Sequence, residues 1–284
     1  MSKIAVIGLV GNSAFLSVDS FHKGGETIVA KEIHFEPGGK GFNQAVSAAR
    51  FGADVSFLGA VGGDYIDEAR QFLENENIKP YLVKKQGNSP YACILTDSAG
   101  ENRVTVYSGV TLSENDVDLF AKEIASSDVL LINNEVPEEV NERATKIAKE
   151  KGVLVILNPA PSKPIMDYLL ENVDIFTPNQ HETEFLNGKQ NIVITLGGNG
   201  CLIKETGKIL PPLDVGIPVD TTGAGDCFNG VFATALGDGF NVETSARLAI
   251  VASGVSVTRK YAVSSLPYKN ELKVENLKFK INNR

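Results

Sequence analysis

Short apolar runs alternate with helical patterns along almost the whole chain, and this alternation restricts the fold more than any other feature. Ile4–Val10, Val55–Val61, Val129–Ile132, Val153–Leu157, Ile175–Phe176 and Ile192–Leu196 are largely continuous in apolar character. That is the pattern of strands buried on both faces. Helical patterns lie near 41–51, 65–76, 115–125, 138–150 and 180–187, and again over roughly 224–236 and 243–257, before a charged tail after Lys269. Gly52 and Gly152 stand where C-caps belong, and Ser113 with Asp116 has the spacing of a capping box. Elements in this order predict an α/β fold with a mostly parallel sheet covered by helices.

One region departs from the alternation. Tyr91–Thr96 and Arg103–Tyr107 flank the polar turn Asp97-Ser98-Ala99-Gly100-Glu101-Asn102, which reads as an antiparallel hairpin, and residues 14–36 look extended and irregular. Together they could form a small sheet projecting from the main one, or a decorated edge of the same sheet. With 284 residues, no internal repeat and no linker, a single domain is expected over 1–284.

A formal charge of −8 argues against nucleic acid or an anionic membrane as the main partner. Cys93, Cys201 and Cys227 are an odd, scattered set without CxxC spacing, so no disulfide framework is expected. The start, MSKIAVIGLVGN, reads as a first buried strand rather than a signal peptide. No apolar stretch approaches the roughly 18–20 residues that span a bilayer. A cytoplasmic protein is expected.

Residues 219–230, VDTTGAGDCFNG, run from a glycine-bearing turn into an apolar helix, with Asp226 just inside the helix start. Free N–H groups and the helix dipole attract anions at such a place, and a carboxylate there would repel the same anion. The arrangement makes chemical sense if Asp226 removes a proton from a hydroxyl while the amides hold the phosphate under attack. That is the minimal machinery of a small-molecule kinase.

Other segments are weaker alone. In Pro37-Gly38-Gly39-Lys40-Gly41-Phe42-Asn43-Gln44, three glycines beside a lysine let backbone approach a polar ligand, and Asn43 both donates and accepts. A tight strand-to-helix turn explains it equally well, and the P-loop spacing is absent. Thr195-Leu196-Gly197-Gly198-Asn199-Gly200 reads by itself as a hairpin turn, and nothing in the chain fits GxGxxG before a helix. Asn179 and Glu182, three apart, suit outer-sphere holding of hydrated magnesium, although a helix cap is the plainer explanation. Glu135 follows a strand end, where α/β folds bind ligands; a solvated loop acid is the commoner case. His22, His34 and His181 form no zinc spacing, and Gly11-Asn12-Ser13-Ala14-Phe15 misses the GxSxG pattern of serine hydrolases.

In sequence order, GGKGFNQA, N-x-x-E, T-L-G-x-x-G and DTTGAGD closely resemble the ribokinase-like (PfkB-type) carbohydrate kinase family. GGKGFNQAVSAARFGADVSFLGAVGGD and LNPAP at 157–161 are similar to its ribokinase branch. The resemblance implies a three-layer α/β/α sandwich with a small β-strand lid, here about 13–36 and 88–108, and transfer of the γ-phosphoryl group of ATP to a sugar hydroxymethyl group. It implies Asp226 as catalytic base and the N–H groups of Gly223, Ala224 and Gly225 as an anion hole. Gly11, Ser13, Gly39, Lys40, Asn43 and Glu135 fall on sugar-contacting positions, and Thr195, Gly197 and Gly200 on nucleotide-binding ones. Asn179 and Glu182 match a motif tied to phosphate and magnesium. Asp220, Thr222, Ser256, Arg259, Tyr261 and Ser265 match positions around a monovalent cation, potassium in that branch. Family members often dimerise through their lids.

The chain departs from the branch in two places. After the first strand the family pattern is G-S-x-N-x-D, whose Asp grips sugar hydroxyls; here Gly11 and Ser13 stand at the Asn and Asp positions. Losing an ionised acceptor removes a bond worth about 1.5–3 kcal/mol, and Gly11 is expected to leave space for a bulkier or differently hydroxylated substrate. The helix between the N-x-x-E and T-L-G-x-x-G segments is also nearly absent. The acceptor therefore stays open among ribose, fructose and related sugars. A nucleoside or sugar-derivative kinase is the nearest alternative. The alternative of another class is a catalytically silent sugar-sensing protein, against which an intact Asp226 argues.

Overall fold

The computed structural model describes residues 1–99 and 101–272; Gly100 of the hairpin turn and the charged tail beyond Leu272 lie outside the described residues. The strands are β1 (Lys3–Ile7), β2 (Gly11–Ser17), β3 (Glu32–Gly38), β4 (Asp54–Val61), β5 (Ile78–Lys84), β6 (Tyr91–Thr96) and β7 (Asn102–Tyr107). They continue with β8 (Val129–Asn133), β9 (Leu154–Asn158), β10 (Ile175–Phe176), β11 (Val193–Thr195), β12 (Cys201–Ile203) and β13 (Lys208–Leu210). The helices are α1 (Lys40–Phe51), α2 (Ile66–Asn75), α3 (Ala121–Ala125), α4 (Glu138–Lys151), α5 (Asp167–Asn172), α6 (Ala224–Gly237) and α7 (Val242–Ser256).

Six strands make an all-parallel sheet in the order β10-β9-β8-β1-β4-β5. Successive residues of β1 feed opposite faces. Ile4 and Val6 join a core with α1, α2, α6 and α7, while Ala5 and Ile7 join another with α4 and α5. Two cores on one sheet are the three-layer α/β/α sandwich. α6 is apolar nearly all round and correspondingly buried between α1 and α7. Phe42 of α1, Phe57 of β4 and Phe232 of α6 are fully buried in this core, and truncating any one to alanine is expected to cost about 3–5 kcal/mol.

β2 and β3 lie with β6 and β7 in a separate sheet, order β3-β2-β6-β7, in which only the β2–β6 pair is parallel. The expected hairpin is therefore present, and it pairs with the extended segment. β11, β12 and β13 form a third, antiparallel sheet, bridged in parallel to the end of the central one at Phe176–Ile192 and Asn179–Thr195.

Several expectations need correction. The run Ile4–Val10 is not one strand: the chain leaves the central sheet after Ile7, and β2 starts at Gly11 in the second sheet. Ile192–Leu196 supplies β11 of the antiparallel sheet instead of a sixth doubly buried strand. Residues 180–187 hold only a single 3₁₀ turn at Gln180–Glu182, and 115–125 is a 3₁₀ segment, Glu114–Phe120, ahead of α3. β5 and α5 had no clear sequence signal.

From β1 the chain proceeds to β4 on one side and later returns to β8 on the other. The strand order thus reverses between β1 and β8, and the crevice at their carboxyl ends is where open α/β sheets bind ligands.

Candidate active site

α1 begins in that crevice. Gly39, its N-cap, has φ 116, and a Cβ there would sit 2.2 Å from the Leu9 carbonyl oxygen, so the β3–α1 turn requires glycine. The turn delivers the Lys40 N–H to Oε2 of Glu135 at 2.6 Å, joining the two sides of the switch point. Glu135 is itself set by its own N–H donating to Asn133 Oδ1 at 2.9 Å.

α6 crosses α1 closely. A Cβ on Gly230 would lie 2.4 Å from the Gln44 carbonyl oxygen. The crossing sets Asp226 of α6 against α1, where Asn43 Nδ2 donates to Oδ2 at 2.9 Å and Gln44 Nε2 to Oδ1 at 3.1 Å. The carboxylate fixes both amide orientations, because a flipped amide would aim oxygen at oxygen. The side-chain oxygens Oδ1 of Asn43 and Oε1 of Gln44 are left buried without a protein partner.

Burial pushes the Asp226 carboxyl above its usual range, opposed by the Lys40 charge and the two amide bonds. Burial and the Asp226 charge push Glu135 up to about 7, with Lys40 opposing. Glu182 is also raised, chiefly by burial. Lys40 is held charged by Asp226 first, then by Glu135 and Glu182. One ammonium thus stands among three carboxyls, each pushed up first by loss of solvent.

Beside Asp226, α6 starts at Gly223 without a side-chain cap. The Ala224 N–H donates back to the Thr221 carbonyl at 3.2 Å, so the expected trio is only partly available, while Gly225 sits at a position with no partner inside a helix. This helix start opens on a cavity of about 590 Å³, whose lining includes Ala224, Gly225, Asn179, Thr195, Gly197 and Gly200. The three expected nucleotide positions thus meet Asn179 at one cavity. The lining also includes the apolar side chains of Leu213, Phe228, Ile250 and Val257.

Asn179 and Glu182 cap each other: Glu182 accepts from the Asn179 N–H and Nδ2, both at 2.8 Å. The capping explanation is therefore correct, and Asn179 of the pair also lines the cavity. Asp220 accepts the N–H groups of Thr222 at 2.9 Å and Tyr261 at 2.8 Å, and Ser265, fully buried, donates to the Ala262 carbonyl at 2.7 Å. Ser256 hydrogen-bonds within its own helix, and the Arg259 guanidinium turns away to Glu271 at 2.7 Å, leaving only its backbone near the others.

Gly11 does not leave the expected space. A Cβ there would lie 2.2 Å from the Pro90 carbonyl oxygen, so the position is closed by β2 approaching the start of β6. Ser13, two residues further along β2, is buried, and a Cβ on Gly38 would lie 2.4 Å from its hydroxyl oxygen.

Sequence reasoning passed over a chain of amides behind the site. Gln44 Nε2 also donates to Asn158 Oδ1 at 3.1 Å, and Asn158 Nδ2 to the Thr177 carbonyl at 2.8 Å. The Thr177 hydroxyl donates to Asn229, whose Nδ2 returns to the Gly225 carbonyl at 2.8 Å. Gln44 and Asn158 lay in the quoted motifs; their pairing is tertiary.

Over residues 1–269 the sequence matches the pfkB family carbohydrate kinase domain. It is 36% identical over 298 aligned residues to a ribokinase of Haemophilus influenzae, covering 94% of this chain and 96% of that one. Among solved structures it is similar to a ribokinase of Thermotoga maritima, with TM-score 0.86 and 33% identity over 96% of this chain and 99% of that one. A ribokinase of Arabidopsis thaliana, complexed with ribose and ATP, superposes with TM-score 0.84 and 25% identity, covering 98% and 99%.

Proposed function

The chain belongs to the pfkB family of carbohydrate kinases, and from that premise we propose that it phosphorylates the hydroxymethyl group of a small sugar, with Asp226 as base. It is an ATP-dependent sugar kinase, a phosphotransferase with an alcohol acceptor. The observation that carries the residue assignment is the buried Asp226 carboxyl, fixed by Asn43 and Gln44 beside an uncapped helix start. The sugar lies in the β1/β8 crevice, with Lys40, Asn43 and Glu135 around it, and ATP occupies the cavity bounded by Thr195, Gly197 and Gly200. Asp226 takes the proton of the sugar hydroxyl as its oxygen bonds to the γ-phosphorus; the bond to the bridging oxygen breaks and ADP leaves. The N–H groups of Gly223 and Gly225 and the Lys40 ammonium meet the charge that spreads over the transferring group. The orphaned Asn43 carbonyl oxygen offers an acceptor for a sugar hydroxyl.

Among the described residues no group of three or more His, Cys, Asp or Glu could hold a metal. A magnesium ion would accordingly be held by phosphate and water, with Glu182, both of whose oxygens already accept from Asn179, acting through water. Such an ion supplies charge neutralisation on the phosphates. The positions around Asp220, Thr222, Tyr261 and Ser265 offer only oxygen donors, which suits potassium; Ser256 and Arg259 would contribute backbone carbonyls.

The four-stranded sheet serves as the lid, within about 13–36 and 88–108. Its outer face carries Ile33, Phe35, Tyr91 and Tyr107, all exposed. The occupant that suits this apolar face is the same face of a second copy, giving a homodimer. No helix among the described residues is long and apolar enough to cross a membrane, and the cytoplasm, where ATP is abundant, is the proposed location.

ATP consumption over pentoses, hexoses, nucleosides and sugar phosphates, with and without potassium, tests the reading. Turnover with ribose, fructose or a related sugar supports it. Turnover confined to nucleosides would move the substrate class, and tight sugar binding without turnover would favour a sensor.

A further inference from the structure

The loop at 261–266 is gripped from two directions by the β3–α1 segment. Glu36, on β3, is 5% exposed, and its carboxylate accepts four bonds from that loop. Oε1 takes the N–H groups of Ala262 at 2.7 Å and Val263 at 3.0 Å; Oε2 takes the Ser264 N–H at 3.0 Å and its hydroxyl at 2.7 Å. His34, on the same face of β3, stacks on Tyr261 with ring centroids 3.9 Å apart. Arg50, in the last turn of α1, donates to the carbonyls of Val263 at 2.9 Å and Leu266 at 2.8 Å. One segment therefore holds the loop's N–H groups at one end and its carbonyls at the other. The same segment carries Lys40, Asn43 and Gln44.

On its other side the loop supports the start of α6. The Tyr261 N–H donates to one Asp220 oxygen while the other holds the Thr222 N–H. A Cβ on Gly223 would come within 3.1 Å of Ala262 Cα, so the N-cap of α6 rests on loop backbone. Tyr261 has φ 74, which a tyrosine keeps only when its surroundings hold it there. Asp220 and Glu36 do so from opposite sides, taking four consecutive N–H groups between them.

We propose that Glu36 is a positioning residue for phosphoryl transfer, the link through which the lid strand sets the anion-binding start of α6. Resting on the kinase reading above, this assigns to a buried acid outside the reaction centre the task of placing Gly223–Gly225 relative to Asp226. A buried carboxylate is costly unless fully bonded, and bonds from consecutive N–H groups also fix direction, as an apolar anchor could not.

Glu36→Gln tests the link, because its amide nitrogen must face a donor it cannot accept from. The expected result is a fall of about tenfold in kcat with KM for sugar and ATP within about twofold. Hydrogen exchange is expected to quicken at 262–264 and also at Thr222 and Ala224, with α7 unchanged. Ser264→Ala, which removes the hydroxyl and its contacts to Glu36 and His34 but keeps the three N–H bonds, is expected to fold normally and to show a smaller loss in the same direction. Faster exchange confined to 262–264 with kcat retained would overturn the proposal, as would a loss of kcat that merely tracks the folded fraction. A wild-type protein that phosphorylates no sugar fails the kinase reading instead, and the exchange comparison still decides whether Glu36 governs residues 222–224.

Discussion

The side-chain amide of Asn43 donates to Asp226 at 2.9 Å across 183 residues of sequence, and Gln44 donates to the other carboxylate oxygen at 3.1 Å. Both bonds favour the charged carboxylate and so oppose the upward push of burial. Removing either donor, as in Asn43→Ala or Gln44→Leu, raises the Asp226 pKa further. The acid limb of the kcat/KM profile is then expected to move to higher pH. A bond to a charged group is worth about 1.5–3 kcal/mol, so turnover at neutral pH is expected to fall about 10- to 100-fold. A pH–rate profile of each variant checks this.

Glu135 makes folding stability depend on pH. Its carboxyl rises from 4.5 in the unfolded chain to about 7 in the folded one. Between those values the folded chain binds a proton that the unfolded chain lacks, so stability falls as pH rises and the whole contribution is gone above the folded pKa. The span is on the order of 3 kcal/mol. Glu135→Gln is expected to flatten the difference between urea midpoints at pH 5 and pH 8, while raising KM for the sugar.

Positions 11 and 13 are expected to respond differently. Gly11→Asn drives a side chain into the Pro90 backbone and is expected to cost about 1–3 kcal/mol or more in urea unfolding. Ser13→Ala removes a single neutral hydroxyl and is expected to leave stability near wild type. If that hydroxyl meets the substrate, KM for the sugar should rise about 2- to 10-fold, the equivalent of one neutral hydrogen bond.

Phe35→Asp places a charge in the exposed face of the lid sheet. Sedimentation velocity is expected to show a dimer for the wild-type protein and a monomer for the variant, with the fold retained because Phe35 is 55% exposed. A wild-type monomer would refute the lid dimer.

The three layers were legible because doubly buried strands and amphipathic helices carry different periodicities. The misreadings have local causes. Ile4–Val10 is apolar almost throughout although β1 ends at Ile7, since Val10 is fully buried beyond the strand end. β5 contains Pro80 and two lysines, tolerated at the edge of the sheet, where a missing N–H breaks no inner ladder. The motifs named Asp226, Lys40 and Glu135, yet gave no hint that Gly11 is filled by Pro90. Glu36 was invisible for the same reason: its partners lie more than 220 residues away, bonded through backbone groups that have no sequence signature.

The central claim is that Asp226 is the base of a phosphoryl transfer from ATP to a sugar. Its most direct test compares ATP-dependent sugar phosphorylation by the wild-type protein and by Asp226→Asn, at saturating ATP and the best sugar, with sugar binding measured in parallel. Turnover is expected to fall about 10²–10⁴-fold with binding largely kept. Near wild-type turnover in the variant would contradict the claim.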